Sequence, residues 1–238
     1  MSLVSFHLAE LPAAVTARAL LRRPSAPGLL HIEVMAAMEL GAPVVSPRRM
    51  QLRRCATFAV WADESALEEF LDRDRFGRRL ADGWHVRLAH VRTWGHVAAV
   101  DDLLTGHAKL EPDEPVVAVT IARMRIPQVP RFLRWGRPVE RQVRDDPGTT
   151  LALAAMRPPR TISTFTVWRS LREMVSMVHG RGQGPQARHH VDGMAERERR
   201  DFHHEFTTLR FRALSEHGSW QGRTDLVPVA RPGTTLAE

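Results

Sequence analysis

Apolar and polar positions follow two distinct periods along this chain. Stretches in which apolar and polar residues alternate, rich in β-branched and aromatic side chains, predict strands, whereas apolar residues spaced three and four apart predict helices. The first half predicts the order strand, helix, strand, strand, helix, strand, at residues 3–8, 13–22, 28–35, 55–61, a helix after 61, and 84–91. The second half predicts the same opening order, at residues 115–124, 130–144, 149–156, 162–168 and a helix after 168.

A short sequence repeat supports the division into two halves. The motif Thr-Phe-x-Val-Trp occurs at Thr57–Trp61 and again at Thr164–Trp168. Each copy ends a predicted strand, and a helical period of apolar residues follows it directly, at Leu67, Phe70 and Leu71 in the first copy and at Leu171, Met174, Val175 and Val178 in the second. A repeat of this kind indicates that one structural unit occurs twice in the chain.

The order β-α-β-β-α-β is that of the ferredoxin-like fold. We therefore predict an α+β protein in which tandem ferredoxin-like halves, residues 1–98 and 114–225, pack as an internal pseudo-dimeric α/β barrel. The linker between them, at about 99–113, is polar and ends in Glu-Pro-Asp-Glu-Pro, which is typical of a boundary. Residues 226–238 are expected to form a flexible tail.

The second half is longer than the first. The stretch from Trp168 to Trp220 is more than twice as long as the stretch from Trp61 to Trp84, which opens the last predicted strand of the first half. The second half therefore carries an insertion, and six of the twelve histidines lie in or beside it, within residues 179–217. The insertion is either an elaborated cap over the sheet or the carrier of the functional site, because function tends to lie on what decorates a repeated scaffold.

The inserted segment contains one predicted loop and one predicted helix. The glycine-rich residues 180–185 predict the loop, and Pro185 suits the first turn of a helix. The helix is predicted from about Gln186 to Ser215, with Phe202, Phe206 and Leu209 on its apolar face at i, i+4 and i+7.

Composition narrows the class of protein. Hydrophobic residues make up 43% and charged residues 26% of the chain, as in ordinary globular proteins. The net charge is +7, but the arginines are scattered and form neither a concentrated patch nor a recognition motif, so nucleic-acid binding is not expected. No apolar run reaches the roughly 20 residues of a membrane span, and the N-terminus has no secretory pattern. We therefore expect a cytoplasmic protein, in which the single cysteine, Cys55, is a buried and unreactive strand residue.

The histidines are the main candidates for chemistry. His189–His190 and His203–His204 are adjacent pairs, so they lack the i, i+3 or i+4 spacing with which one helix binds a bare metal ion. A serine or cysteine nucleophile has no supporting motif. One histidine that faces an apolar pocket suffices for haem, which needs a single axial ligand and cationic partners for its propionates.

A family resemblance adds to this interpretation. The sequence carries Phe165-Thr-Val-Trp168, then His190-x-x-Gly193-Met194, then Phe202-x-x-Glu205-x-x-x-x-Arg210-Phe211, and finally Gly218-x-Trp220-x-Gly222. In this order the motifs resemble the C-terminal half of the spheroidene monooxygenase family, with specific residues matched over about 162–222. The sequence departs from the family pattern in three ways. Phe202-His203 stands where the family has an aromatic pair, Gly193 stands where the family has an alanine, and the spacing around residues 180–186 is longer.

The resemblance implies an oxygen-using enzyme of the dimeric α/β-barrel type with haem as its cofactor. His190 falls on the family's histidine and is the implied iron ligand, with Met194 one helical turn away to line the pocket. His179, His189 and His203 remain open as alternatives. Arginines near in sequence are the candidate partners of the propionates, namely Arg188, Arg197 and Arg210.

Three functions follow as hypotheses. The first is a haem-dependent monooxygenase-like enzyme that acts on a small apolar molecule, with an electron donor that the sequence does not identify. The second is a cofactor-free oxygenase in which a base in the pocket deprotonates the substrate. The third is a non-catalytic protein that binds haem or another ligand. Further association of whole chains into a homo-oligomer stays open.

Overall fold

The computed structural model describes residues 2–43, 46–181 and 186–229. Within them the chain forms eight strands and six α-helices. The strands are β1 (Leu3–Glu10), β2 (Leu29–Met38), β3 (Gln51–Trp61), β4 (Trp84–His96), β5 (Val116–Met124), β6 (Thr149–Arg157), β7 (Thr161–Trp168) and β8 (His203–His217). The helices are α1 (Ala13–Leu21), α2 (Glu64–Arg73), α3 (Arg75–Ala81), α4 (Val129–Asp145), α5 (Leu171–Val178) and α6 (His189–Arg199).

All eight strands pair in antiparallel fashion and close into one barrel, in the order β1-β3-β2-β6-β7-β5-β8-β4. The protein is therefore a mixed α and β structure built on a closed sheet. Strands β1 to β4 are neighbours in the order β4-β1-β3-β2, and strands β5 to β8 repeat that order as β8-β5-β7-β6. Two contacts join the sets, β2 to β6 and β4 to β8.

The two motif tryptophans occupy matching positions in these sets. Trp61 is the last residue of β3 and pairs with Leu3, the first residue of β1. Trp168 is the last residue of β7 and pairs with Val116, the first residue of β5. Both indoles are fully buried, and a helix follows each strand. The prediction that both tryptophans end a strand before a helix is confirmed.

The interior of the barrel is filled by inward-facing residues from both sets of strands. Phe6 of β1 stacks on Phe165 of β7 with ring centroids 3.7 Å apart, and both are fully buried. Two residues from the segment predicted as a polar linker, Val100 and Leu104, also pack in this core. Part of that segment therefore belongs to the barrel core, because its apolar side chains are buried while its polar ones face water.

A buried carboxylate also ties the two sets of strands together. Glu33 of β2 is fully buried and lies 2.8 Å from the guanidinium of Arg23. Arg123 of β5 and Arg157 of β6 approach the same carboxylate to 3.5 Å and 3.4 Å. A buried charge of this kind is tolerated only when it is paired, and these ion pairs join β2 of the first set to β5 and β6 of the second.

Two sequence expectations need correction in the C-terminal region. Residues 203–215 form strand β8, not the end of a helix, so the helix that follows the loop is only α6. Phe206 and Leu209 do fit a helical spacing, but Thr207, Leu209 and Phe211 also alternate at period two and all face the barrel. The insertion is also shorter than expected, because β8 rather than Trp220 is the counterpart of β4. The length of the insertion is the difference between two segments: residues 169–202, which join β7 to β8, and the shorter residues 62–83, which lie between β3 and β4.

The C-terminal tail also starts later than expected. Leu226 is fully buried in the barrel core, and its backbone N–H donates to Glu216 at 2.8 Å. Residues 226–229 are therefore packed at their start, and 230–238 lie outside the described residues. The predicted loop at 180–185 lies largely outside them as well.

Candidate functional site

A large cavity lies between the outer face of the second set of strands and the helices α4, α5 and α6. Its volume is about 540 Å³, and its walls are mostly apolar. Small-molecule and cofactor sites typically occupy about 300–1,000 Å³. The cavity is therefore large enough for a sizeable organic ligand.

The floor of the cavity is a patch of short side chains on β5 and β7. Ala118, Thr120 and Ala122 come from β5, and Thr164 and Thr166 come from β7. Such side chains rise little above the sheet, and they therefore leave space that longer ones would fill. Thr120 and Thr164 also bond to each other across the strands at 2.6 Å, which satisfies both hydroxyl groups without a ligand.

Helix α4 forms one wall. Its apolar residues Phe132, Trp135, Val139 and Val143 line the cavity, while arginines occupy much of the rest of the helix. Of the residues of α4, all of which the structure describes, only Gln142 is buried. The apolar face of α4 therefore covers the sheet at a distance instead of packing tightly onto it.

Helix α6 forms the opposite wall. His190, Gly193, Met194 and Arg197 lie at i, i+3, i+4 and i+7, which is one face of a helix, and all four line the cavity. Helices α4 and α6 approach closely at Gly193, where an added Cβ would lie 3.1 Å from Val139 Cγ2. A side chain at this position would therefore require Val139 to shift by a few tenths of an ångström.

The structure brings four of the five residues predicted for the site together. His190, Met194, Arg197 and Arg210 all line this one cavity. Arg188 does not, because it precedes the first turn of α6 and its side chain is exposed to solvent. Arg188 is therefore removed from the candidate site.

The hydrogen bonds of His190 define its protonation. Its Nδ1 lies 3.1 Å from the carbonyl oxygen of Val178, and because a carbonyl can only accept, Nδ1 carries the hydrogen. Burial lowers the pKa of His190 below its usual value, although the bond to Val178 acts in the opposite direction. The ring is therefore neutral at physiological pH, with an unprotonated Nε2 that has no hydrogen-bond partner among the described residues.

Gln142 of α4 holds the start of α6 in place. Its side-chain oxygen accepts from the backbone N–H of His190 at 2.8 Å, and its nitrogen donates to the carbonyl of Ala187 at 3.0 Å. The first N–H groups of a helix have no partner within the helix, so this amide supplies one from a neighbouring element. Gln142 thereby fixes the backbone that carries His190.

His203 is a second neutral histidine in the cavity wall. It is 4% exposed, and neither ring nitrogen has a well-formed hydrogen bond within the described residues. Asp201 Oδ1 lies 3.2 Å from Nδ1, but at a poor angle. Burial lowers the pKa of His203 to about 4, against the opposite pull of Asp201. Buried polar groups without partners are uncommon, so this ring is a candidate to meet a ligand.

The other histidines considered from sequence differ from these two. His189 has a buried Nδ1 without a partner among the described residues, but it does not line the cavity. His179 does line it, and its Nδ1 donates to the carbonyl of Val175 at 2.8 Å. Its ring is exposed, however, so it lies at the edge of the cavity.

Two cavity arginines stack on aromatic rings. The guanidinium carbon of Arg197 lies 3.9 Å from the ring centroid of Phe206, and that of Arg210 lies 4.4 Å from the centroid of Trp94. The Nε of each is shielded from solvent without a hydrogen-bond partner among the described residues. Arg197 also lies 3.6 Å from Asp201 in an ion pair. The cavity therefore has apolar walls and carries its positive charge mainly at Arg210 of β8.

Sequence reasoning missed the contribution of α4. Gln142 lies far before His190 in sequence, and no local pattern connects the two. The sequence predicts the helix at 130–144, but not that its residues Phe132, Trp135 and Val139 line a cavity. The sequence places His203 in a predicted helix, whereas it is the first residue of strand β8.

Comparisons with known proteins show the fold and leave the activity open. No model of a protein family matches the sequence, and neither does any curated protein. A crystal structure of aldoxime dehydratase in complex with butyraldoxime matches with a TM-score of 0.50 and 11% identity, over 89% of this chain and 79% of that one. The two proteins therefore share a fold, and at this identity the match shows nothing further.

Two more solved structures match with lower scores. A candidate monooxygenase from Fusobacterium nucleatum has a TM-score of 0.38 at 8% identity, over 91% of this chain and 94% of that one. A haem-degrading enzyme from Listeria monocytogenes has a TM-score of 0.29 at 10% identity, over 87% and 98%. The resemblance to the spheroidene monooxygenase family is not shown by these comparisons.

In residues 2–43, 46–181 and 186–229, no three His, Cys, Asp or Glu side chains are grouped so that they could hold a metal ion. None of the helices in those ranges has the length and apolar character needed to cross a membrane.

Proposed function

We propose that this protein is a haem-dependent enzyme of the monooxygenase-like type, which acts on a small apolar molecule in the cavity between α4, α6 and the sheet. His190 is the proposed iron ligand. The resemblance of residues 162–222 to the spheroidene monooxygenase family supports the reaction class. The electron donor is left unassigned, and the cytoplasmic location expected from the sequence remains a prediction.

The observation that carries this proposal is the state of His190. A histidine that binds a metal through one nitrogen usually donates its other N–H to a carbonyl or a carboxylate, which fixes the ring and its tautomer. Val178 provides such a carbonyl, and Nε2 is left as the free lone pair on a residue that lines the cavity. Gln142 restrains the backbone of the same residue.

The remaining residues of the cavity also suit haem. The apolar walls would keep water from the haem, and Met194, which lines the cavity one turn from His190, would contribute to them. Arg210, and Arg197 beside its partner Asp201, would supply positive charge for the propionates. When bound through a single histidine, haem supplies an open coordination position at which oxygen or a substrate is activated.

The chain's own residues would contribute the rest of the site. The apolar wall of α4 orients a small apolar substrate and keeps water out. His203 is neutral and buried, so it can accept a proton from a bound substrate at a ring nitrogen or donate one to it. The absence of charge on this ring at physiological pH makes either role available.

We also infer that the barrel is an internal pseudo-dimer of two ferredoxin-like halves, at residues 1–98 and 114–225. The shared strand order of the two sets supports this inference. So does the matching register of Trp61 and Trp168 with the first residues of β1 and β5. A pseudo-dimer of this kind completes its barrel within one chain, so a homo-oligomer would serve another purpose.

The test is an absorbance spectrum of the full chain, expressed with a haem precursor. We expect a Soret band in the wild type and its loss, or a large decrease, in His190→Ala. His189→Ala is the matched control, because it removes the adjacent ring on the same helix, which does not line the cavity. An unchanged Soret band in His190→Ala would refute the assignment of the ligand.

A second function is favoured by His203 alone. If wild-type protein takes up no haem, a cofactor-free oxygenase becomes the better proposal, with His203 as the base that deprotonates an activated substrate. Its ring lines the cavity, and neither nitrogen forms a hydrogen bond among the described residues. In that case His203→Gln should abolish oxygen consumption with substrate, and His190→Ala should leave it largely intact.

A further inference from the structure

A pair of arginines lies at one rim of the cavity, on β4 and β8. Arg92 and Arg210 are directly opposite each other across this antiparallel pair, so their side chains leave the same face of the sheet. Both guanidinium groups stack on Trp94, with their central carbons 4.6 Å and 4.4 Å from a ring centroid of the indole. We call these three residues, Arg92, Trp94 and Arg210, the arginine clamp.

The clamp holds two positive charges together without a negative partner. Like charges directly opposite each other in a sheet repel, and no carboxylate in the described residues forms a salt bridge with either arginine. By contrast Arg212, two residues further along β8, is paired with Glu114 at 2.8 Å. The Nε of Arg210 is shielded from solvent with no hydrogen-bond partner in the described part of the chain.

The surroundings of Arg210 add to the cost of its uncompensated positive charge. Burial and the charge of Arg92 both lower the pKa of Arg210, with burial as the larger cause. Guanidinium groups nevertheless stay protonated in proteins at physiological pH. The cost of placing this charge beside a second one is therefore not relieved by loss of a proton, and an anion would relieve it.

The clamp is continuous with the cavity. Trp94 and Arg210 line it, and the next outward-facing residues of β8, Thr208 and Phe206, continue the same wall. Arg92 does not line the cavity, and its side chain is exposed. A molecule that filled the apolar chamber would therefore have one end at Trp94 and Arg210, with the guanidinium of Arg92 on the same indole.

We propose that the arginine clamp binds the carboxylate of the cavity's ligand, so that this ligand is an amphipathic acid with its apolar body between α4, α6 and the sheet. The guanidinium fork presents parallel N–H donors that match the two oxygens of a carboxylate. The inference rests on the proposed function in that it concerns the same cavity. A haem propionate and a carboxylic-acid substrate offer the same chemistry, and the experiment separates them.

The experiment compares each acid with a form in which the acid is blocked. Full-length protein is titrated with haem and with haem dimethyl ester, followed by the Soret band. In a second arm it is titrated with a long-chain fatty acid and the corresponding alcohol, followed by tryptophan fluorescence. The variants are Arg92→Gln and Arg210→Gln, and the matched control is Arg134→Gln, an exposed arginine of α4.

We expect the wild type and the control to bind the acid form about tenfold more tightly than the blocked form, as one charge-assisted contact would give. Each clamp variant should lose most of that preference while it binds the blocked form as the wild type does. If the variants lose the preference for the acid form in the haem arm, the bound carboxylate is a propionate. If they lose it only in the fatty-acid arm, the bound carboxylate is that of a substrate.

The two proposals fail in different ways. If the wild type binds neither haem nor its ester, the proposed haem enzyme fails, and the fatty-acid arm still tests the clamp. If the wild type shows no preference for an acid in either arm, the clamp proposal is wrong. It is also wrong if both clamp variants keep the full wild-type preference. Because Arg92 is exposed, its variant is expected to fold, and it decides the matter if Arg210→Gln does not fold.

Discussion

A row of three histidines gives a quantitative prediction about stability in acid. His85 of β4 lies between His7 of β1 and His217 of β8, with ring centroids 5.1 Å and 4.7 Å away. Both nitrogens of His85 are buried without a hydrogen-bond partner among the described residues. Burial, and after it the charges of His217 and Arg87, lower the pKa of His85 to about 4. We predict that replacing it by phenylalanine, which keeps a ring in the stack, will weaken the loss of stability in acid.

The magnitude follows from the two pKa values. In the unfolded chain a histidine has a pKa of about 6.5, so between about pH 6.5 and pH 4 the unfolded state binds a proton that folded His85 does not. The free energy of unfolding therefore falls as the pH falls through this window. At about pH 5 the pH lies about 1.5 units below the unfolded pKa, and at about 1.4 kcal/mol per unit His85 costs about 2 kcal/mol.

The assay is urea unfolding of wild type, His85→Phe and His85→Leu at about pH 7.5 and at about pH 5. Other buried histidines, including His7, titrate in every protein of the set, so the difference between the two pH values is compared across variants. That difference should be about 2 kcal/mol smaller without His85. The control is His107→Gln, which alters an exposed ring in the segment between β4 and β5 and should keep the wild-type difference.

One result would refute this reasoning. If wild type and both His85 variants lose the same free energy of unfolding between the two pH values, His85 does not resist protonation in the folded protein. A smaller loss in the His107 variant as well would show that the effect belongs to histidines in general and does not depend on burial.

Two further predictions concern Gln142 and Cys55. Gln142→Leu should lower the free energy of unfolding by about 1–3 kcal/mol, because it leaves the N–H of His190 and the carbonyl of Ala187 buried without partners; urea unfolding measures this, and Arg134→Gln should change it little. Cys55 is fully buried, and burial raises the pKa of its thiol to about 12, so the native protein should react with a thiol reagent far more slowly than the urea-unfolded one. Rapid labelling of the native protein would contradict this.

The sequence predicts the order of the elements well where each element has one clear period. Strand β3 is an example, because Phe58 and Val60 face the barrel interior while Ala59 and Trp61 face the helices. The repeated Thr-Phe-x-Val-Trp motif then relates β3 to β7. The closure of the barrel through β2–β6 and β4–β8 depends on long-range pairing, which local patterns do not specify.

Strand β8 shows where the period of a segment becomes ambiguous. Phe202, Phe206 and Leu209 match a helical spacing, and they led to the prediction of a helix through this region. The pair Thr207–Thr208 favours a strand, because β-branched residues pack well on a pleated surface. The segment becomes a strand because it pairs with β4 on one side and β5 on the other, and both partners lie far away in the sequence.

The candidate site was predictable in part for the same reason. His190 and Met194 lie four residues apart, so any helix through them puts both on one face. Arg210 reaches that cavity from β8, and its sequence position does not reveal this. Gln142 could not be identified, because its role depends on the packing of α4 against α6.

The cavity itself follows from how differently the two sets of helices meet the sheet. In the first set, Leu67 and Phe70 of α2 and Leu80 of α3 are almost completely buried on the outer face of the strands. In the second set, α4 and α6 pack against each other, with a close approach at Gly193. Because the two helices hold each other in place, their apolar residues do not pack closely onto the short side chains of β5 and β7. The apolar surface around the remaining space is not buried by the protein itself. A ligand that buried this surface would therefore stabilise the folded state.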